Sequence, residues 1–437
     1  MMLNKIVEAL NGRSDLAGWT ARHLQSRSAQ IYAAQGKIES ERLVNMDQYK
    51  IDVLRRTSDA EGNPAVGSGD ITVLPGEDIQ AAIEKAVLTA GLMANPVHSL
   101  PAPASIPEVS LVDADLQRDP LAVTREMMER IQAASKHPDV RLTAAECFGE
   151  IQATHLVNSR GIDAEQEATQ INIEFVLHSQ RGETEAETFT EMGRRSVADF
   201  RLEEMLAQRT RHTLDYFEVT APPVWQGPVV LRDEVLALFM HGDDLLGGVL
   251  QTLGSAASKY AKISPWEVGK SVFQGEVKGD ALTVWANRCM PFGTDSNCFD
   301  DEGLPAQRVE LIRENALVTF AANQRYADYL NLPATGAFGG VEVASGETES
   351  AALLAEPYVE IVQFSWFNPD TITGDFATEI RLGYLVENGT RKPFRGGQLV
   401  GNYLDALANV RWSAETGFFG YYLGPHTARF NDLKIVA

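Results

Sequence analysis

The sequence predicts an α+β protein in two parts. The first is an N-terminal domain of helices packed on a curved, largely antiparallel sheet, about residues 1–220; the second is a mostly β C-terminal domain, about 221–437. Three observations carry this reading. The apolar period shifts early in the chain from helical spacing to alternation. Pro222, Pro223 and Pro228 interrupt the chain near its middle, where missing donors and a fixed φ discourage helix and central strand alike. Beyond Ala281, short apolar stretches alternate with glycine-rich turn signals, as expected for many short strands.

Leu3, Ile6, Val7 and Leu10 fall at helical spacing over 3–11, and Leu16, Trp19 and Leu24 do so over 15–25. From about Ala29 the chain alternates as short antiparallel strands, with turns at 35–36 and 59–64, and VGSGDITVLP adds another strand. The segment 75–78 (PGED) opens a helix over IQAAIEKAVLTAGLMA, its acidic pair suited to the helix dipole. Residues 95–107 hold four prolines and read as a surface connection. A helix over 119–135 leads into four short strands, two of them joined by a turn at 158–161. A long polar helix covers about 197–217. The second part opens with a strand at 228–231 and a helix at 234–253.

Composition excludes several classes of function. With 44% hydrophobic and 22% charged residues over 437 positions, the chain has the balance of a globular protein with a sizeable core. Lys+Arg total 38 against 60 Asp+Glu, a net charge of −22. Such a surface repels phosphate backbones and anionic lipid, so neither a nucleic-acid nor a membrane partner is expected. Cys147, Cys289 and Cys298 are too few for a disulfide framework, and a reducing, cytoplasmic setting is the expectation. The start, MMLNKIVEALNGRSD, lacks the basic-then-apolar order of a leader.

The chemistry-bearing residues are sparse. No two of the eight histidines lie within six residues of each other, whereas helical zinc sites place two on one face about a turn apart. No nucleophile elbow or phosphate loop occurs. The densest acidic knot is Asp300, Asp301 and Glu302, followed by Gly-Leu-Pro. It is chemically able to hold a hard cation or to act as acid and base. The plainer reading, which the sequence favours, is a turn whose carboxylates pair locally, with Arg308 as a candidate partner. Around Gly374, Asp375 and Phe376, the run NPDTITGDF reads as a structural turn.

Taken in order, these segments resemble the TldD/PmbA family, a peptidase family once called modulators of DNA gyrase. Asn158-Ser-Arg-Gly-Ile162 is similar to its Asn-Ser-x-Gly turn, and Phe299-Asp-Asp-Glu-Gly-Leu-Pro-Ala-Gln-Arg308 to its Asp-Asp-Glu-Gly-x-Pro-x-Gln segment. The run through Gly374, Asp375 and Phe376 is similar to its Pro-x-Thr-Gly-Asp-Phe motif. Glu387-Asn-Gly389 with Leu399-Val-Gly-Asn-Tyr-Leu404 is similar to its closing pattern. The resemblance implies one of two branches. TldD-like chains carry a helical His-Glu-x-x-x-His and a later cysteine that bind catalytic zinc; PmbA-like chains, also called TldE, lack the set and pair with a TldD-like chain.

Here His241 falls at the first histidine, Gly242 replaces the glutamate, Leu246 replaces the second histidine, and no cysteine follows Cys298. The resemblance therefore implies a PmbA/TldE-like partner subunit with no catalytic residue and no metal of its own. Zinc is expected only in the TldD-like partner, and a peptide is the expected substrate. His241 would be left as a surface or groove residue. Two alternatives stay open: a stand-alone peptide-binding homodimer, and a peptidase using Asp300, Asp301, Glu302 or Asp375 with an unrecognised metal. A dimer is expected in the first two cases. The run Gly417-Phe-Phe-Gly-Tyr-Tyr422, read as one strand, puts aromatics on both faces and would need cover from the core and from a partner.

Overall fold

The computed structural model describes residues 2–242 and 247–437. Leu246, the position where a second zinc histidine would fall, lies outside the described residues. Helix α1 (Met2–Asn11) buries Leu3, Ile6 and Leu10, as the spacing predicts. The second expected helix, over 15–25, is instead the start of strand β1 (Leu16–Ala34). This strand runs mid-sheet, with Trp19 opposite Val53 on one side and Thr20 opposite Asn158 on the other. Consecutive residues there are buried, which hides the alternation that identifies a half-exposed strand.

Strands β2 (Lys37–Ser58), β3 (Pro64–Val73), β4 (Asn95–Pro96), β5 (Arg141–Asn158), β6 (Asp163–Arg181) and β7 (Thr184–Arg194) complete an antiparallel sheet in the order β4-β3-β2-β1-β5-β6-β7. Gln35 and Gly36, with φ of 50° and 73°, make the β1–β2 turn, a two-residue loop that matches strand twist. The expected short strands over 29–57 and 141–178 are long ones. The β5–β6 register runs unbroken from Ala144–Val176 to Val157–Asp163. β3 pairs only with Tyr49–Ser58 of β2, so among the described residues the outer edge of 37–48 has no strand beside it.

Four more helices serve this sheet: α2 (Ile79–Ala90), α3 (Ala114–Arg118), α4 (Pro120–Ala134) and α5 (Leu202–Asp215). Asp78 caps α2 by accepting from the amides of Gln80 and Ala81; Glu77 stays outside the helix and accepts from Leu74 N. The expected helix over 197–217 is split, because Arg201 takes a left-handed φ of 43° between a short 3₁₀ turn and α5. One core joins α1 and α2 to the sheet through Ile6, Val53, Ile83 and Val87. A second joins α4 and α5 to it through Met128, Ile131, Ile173 and Leu206.

The rest of the chain holds β8 (Trp225–Arg232), β9 (Val284–Asn287), β10 (Arg308–Arg313), β11 (Ala316–Leu317), β12 (Gly340–Val343), β13 (Tyr358–Phe364), β14 (Asp375–Glu387), β15 (Thr390–Phe394), β16 (Gln398–Asn402), β17 (Val410–Trp412), β18 (Thr416–Phe418), β19 (Tyr422–Pro425) and β20 (Thr427–Val436). One six-stranded sheet runs β11-β10-β9-β12-β19-β18. In the other sheet β13, β8, β20, β16 and β14 form a closed ring, because β14 pairs with both β16 and β13. The expected helix over 234–253 is α6 (Asp233–His241) and α7 (Val249–Leu253), with Gly242 at φ 89° leading the chain out of α6. No helix among the described residues is long and apolar enough to cross a membrane.

The aromatics of the C-terminal segment serve mainly the core. Phe367, Phe394, Trp412 and Tyr422 are buried there, and Trp366 is exposed. The run 417–422 is not one strand: Gly420, at φ 78°, turns the chain between β18 and β19. The proline-rich stretch 95–107 is strapped to the second part of the chain. Ser99 N and Oγ donate to Asp328 (2.7 and 2.8 Å), and Tyr329 Oη donates to Pro96 O.

Two glycines let α2 lie on β3. A Cβ at Gly67 would fall 1.7 Å from Ala90 O, and one at Gly69 would fall 2.2 Å from Ala86 O. Both obstacles are backbone, so a methyl must push the helix away. We expect Gly69→Ala to lose about 3 kcal/mol of stability by urea unfolding, at or above the upper end of ordinary overpacking costs. An unchanged midpoint would refute this seating of the helix.

Candidate functional site

His241, the last residue of α6, is buried (4% exposed) behind residues that line a cleft, so of the expected surface or groove position the surface alternative does not hold. Packing brings this about. Phe239, two residues earlier, sits about 4.9 Å from the rings of Phe367, Tyr403 and Phe430, and Tyr403 Oη donates to Met240 O. The helix end is thereby pinned. The His241 imidazole lies 4.4 Å from the ring of Tyr421. Its Nε2 is 2.7 Å from Asp295 Oδ2 and 3.1 Å from Gln251 Nε2, and its Nδ1 is 3.2 Å from Gly242 O.

Arg195 places Asp295. Its guanidinium, from the end of β7, donates to Gly293 O (2.6 Å), Thr294 O (2.7 Å), Ser296 O (2.9 Å) and Thr169 O (3.2 Å). Burial lowers its pKa, and the Asp295 charge opposes the shift. The loop 293–296 is therefore held open-handed, with Asp295 directed at the histidine.

Beside this arrangement lies a cleft of about 700 Å³ between β6–β7 and α6. Gly242, Asp295 and Tyr421 form part of its wall, and Arg194, Arg209 and Glu234 another part. Glu234 accepts from Arg194; burial pushes its carboxyl upward against the pull of Arg194 and Arg209. Sequence reasoning missed Arg194, Arg195, Arg209, Asp295 and Gln251. The adjacent arginines 194–195 in an acidic chain are the one local signal that pointed here.

The acidic knot lies elsewhere, on a cavity of about 420 Å³ that Gln251 also lines. Asp300 organises the turn: its carboxylate accepts from the amides of Glu302 (3.0 Å) and Leu304 (2.9 Å) and lies 3.6 Å from buried Arg288. Asp301 pairs with Arg22 of the first sheet at 2.6 Å. Arg308 does not join the knot. It forks onto Glu342 (2.7 Å twice) over the ring of Trp285, because β10 and the turn point it away. Glu302 accepts from Gln324 N (2.8 Å), and burial, opposed by that bond, pushes its carboxyl from 4.5 to about 7. Gly374 (φ 81°) turns the chain into β14, Asp375 accepts from Asn402 Nδ2 (2.9 Å), and Phe376 is buried. These three residues line neither cavity.

A zinc site of the TldD type does not fit these residues. His241 has Gly242 in place of the base, its Nε2 is engaged by Asp295 and Gln251, and among the described residues no three His, Cys, Asp or Glu are grouped to hold a metal.

A seven-stranded antiparallel sheet with helices packed on it, joined to a second part that holds a closed β ring, with a histidine at the end of α6 beside the cleft, defines an α+β protein. Residues 226–437 match the family described as PmbA/TldA metallopeptidase C-terminal domain. This match covers just under half of the chain and bears out the resemblance read from its motifs. It is 24% identical over 298 residues to metalloprotease PmbA of Escherichia coli O157:H7 and 20% identical over 297 residues to the zinc metalloprotease TldD homolog of Saccharolobus solfataricus. These alignments cover 65% and 63% of this chain, and 63% and 64% of those proteins, less than two thirds of each relative. The fold is similar to that of a candidate modulator of a DNA gyrase from Thermotoga maritima (TM-score 0.82, 18% identity, 100% of this chain and 99% of that chain). It is also similar to TldE from Thermococcus kodakarensis (TM-score 0.81, 18% identity, 100% of both chains).

Two measurements probe the geometry. Arg195→Met leaves four carbonyl oxygens without their donor, and we expect a loss of about 3–5 kcal/mol in urea unfolding, as for other broken buried charge networks. For Glu302 the folded state binds its proton more tightly than the unfolded state. The resulting stability is present in full below about pH 4.5 and is lost as pH rises toward about 7. Glu302→Gln has no such loss. Its melting temperature should rise relative to the parent between pH 5 and pH 8, by the equivalent of at most about 3 kcal/mol. A difference constant with pH would contradict the shift.

Proposed function

We propose that this chain is a PmbA/TldE-like, non-catalytic partner of a TldD-like zinc peptidase, acting in the cytoplasm on small unfolded peptides. The observation that carries the reading is the state of His241. At the place where the family's first zinc histidine would fall, Nε2 is turned to Asp295 and Gln251, and Gly242 offers no carboxylate to activate water. The family match over 226–437 and the likeness to PmbA support the same reading. In it, the chain contributes peptide-binding walls while the partner contributes the metal.

One observation favours a second reading, a peptidase in its own right. Glu302 lines a cavity with Asp300 and Asp301 and holds its proton to about pH 7, the range of a general acid or base. Purifying the chain alone and with a TldD-like zinc peptidase subunit separates the two. We expect the isolated chain to hold well under one zinc by elemental analysis and to hydrolyse no peptide, and the mixture to co-elute and hydrolyse. Stoichiometric zinc lost in His241→Ala, or hydrolysis by the isolated chain lost in Asp301→Asn with the fold intact, would overturn the partner reading.

A further inference from the structure

Among the described residues, six charged ones line the cleft between β7 and α6: Arg194, Arg195, Arg209, Glu191, Glu234 and Asp295. Four are accounted for within the fold. Arg194 pairs with Glu234, Arg195 is held by backbone carbonyls, and Asp295 faces His241. Glu191 is exposed at the rim. Arg209 is left over. Among the described residues its guanidinium hydrogen-bonds only His212 Nδ1, at 3.5 Å, and no carboxylate lies within 4.0 Å of it; Glu234, already paired with Arg194, is the carboxylate whose charge acts on it from farther away.

His212 explains how such a cation is aimed. The ring is buried, and burial together with Arg209 pushes its pKa down to about 3. A neutral ring offers Nδ1 as an acceptor and cannot neutralise the arginine. It orients the guanidinium without supplying a counter-charge. Behind the wall, among the described residues, Arg209 Nε, Arg194 Nε, Thr190 Oγ1 and Thr294 Oγ1 are buried without a hydrogen-bond partner, and all four belong to residues that line the cleft. Thr190 and Arg194 are more than nine-tenths buried. Buried polar groups of native proteins are normally satisfied, and a guanidinium away from bulk water favours a planar, two-oxygen anion.

We propose that this cleft is a carboxylate site, in which Arg209 binds the carboxylate of a bound peptide, either its C-terminus or an acidic side chain. The proposal rests on the peptide-binding reading above and adds a substrate class to it: the chain selects peptides by a negative group, against the repulsion of its own net charge of −22. Such a pocket gives specificity, because an uncharged peptide end there would leave the half-buried Arg209 with only the Glu234 charge that Arg194 already shares.

Isothermal titration of the full chain with three peptides of one Ala/Leu sequence tests this: the C-terminal acid, the C-terminal amide, and the amide with one central Glu. We expect the acid or the Glu peptide to bind about tenfold tighter than the plain amide, the effect of one charge-assisted hydrogen bond. Which of the two gains identifies the source of the carboxylate. In Arg209→Gln the preference should fall below about twofold. If that variant does not fold, Arg209→Lys, which keeps the charge and loses the fork, should still reduce the preference several-fold. Equal binding of all three peptides by the parent chain overturns the carboxylate site and leaves the peptide-binding reading standing. Failure of every peptide to bind overturns both. A preference unchanged in the arginine variants also overturns the site, because it places the selectivity elsewhere.

Discussion

The grip of Arg195 on the loop 293–296 is the contact on which the cleft depends. Four donors of one guanidinium meet four carbonyl oxygens, three from that loop and one from Thr169 of β6. The first sheet and the second part of the chain are thereby tied at one point. Asp295 follows, since its neighbours cannot move, and His241 follows from Asp295. A buried arginine loses much hydration. Here backbone dipoles replace it, which keeps the residue from needing a carboxylate of its own and frees Asp295 for the histidine.

Arginine recurs at the seams of this acidic protein. Arg22 lies between Asp52 of its own sheet and Asp301 of the acidic knot. Arg288 donates to Pro305 O and Thr335 O, close to Asp300. Arg194 meets Glu234 across the cleft. Pairs of this kind add little net stability compared with apolar packing, yet breaking one partner is costly. They act as registration pins between layers whose apolar cores are largely separate.

Much of the fold was legible because local signals agreed with it. The spacing of Leu3, Ile6 and Leu10, the helix opened by the segment 75–78 and the turn at Gln35-Gly36 all sit where the residue types demand. Strand length was not legible. A strand buried on both faces, such as the start of β1, shows no alternation, and Leu16, Trp19 and Leu24 happened to mimic a helix. Of the site, the family motifs located His241 and the Asp300 turn. They could not show that His241 is buried, because Asp295 and Gln251 approach it from distant parts of the chain. Nor could they pair Asp301 with Arg22 in place of Arg308, since that contact spans the two parts of the molecule. Arg209 carried no sequence signal, because the cleft it lines is assembled from distant parts of the chain.

The closed ring of β13, β8, β20, β16 and β14 leaves those strands without an open flank, whereas among the described residues no strand pairs with the outer side of β2 from 37 to 48. An uncovered strand edge is a template for unwanted self-association. This one carries Lys37, Glu39, Glu41, Arg42 and Asp47 between the apolar Ile38, Leu43, Val44 and Met46. Charges of both signs break any long apolar strip that a stray strand would dock against. The arrangement gives the molecule a gatekept margin, one that tolerates crowding in the cell only as long as those polar positions are kept.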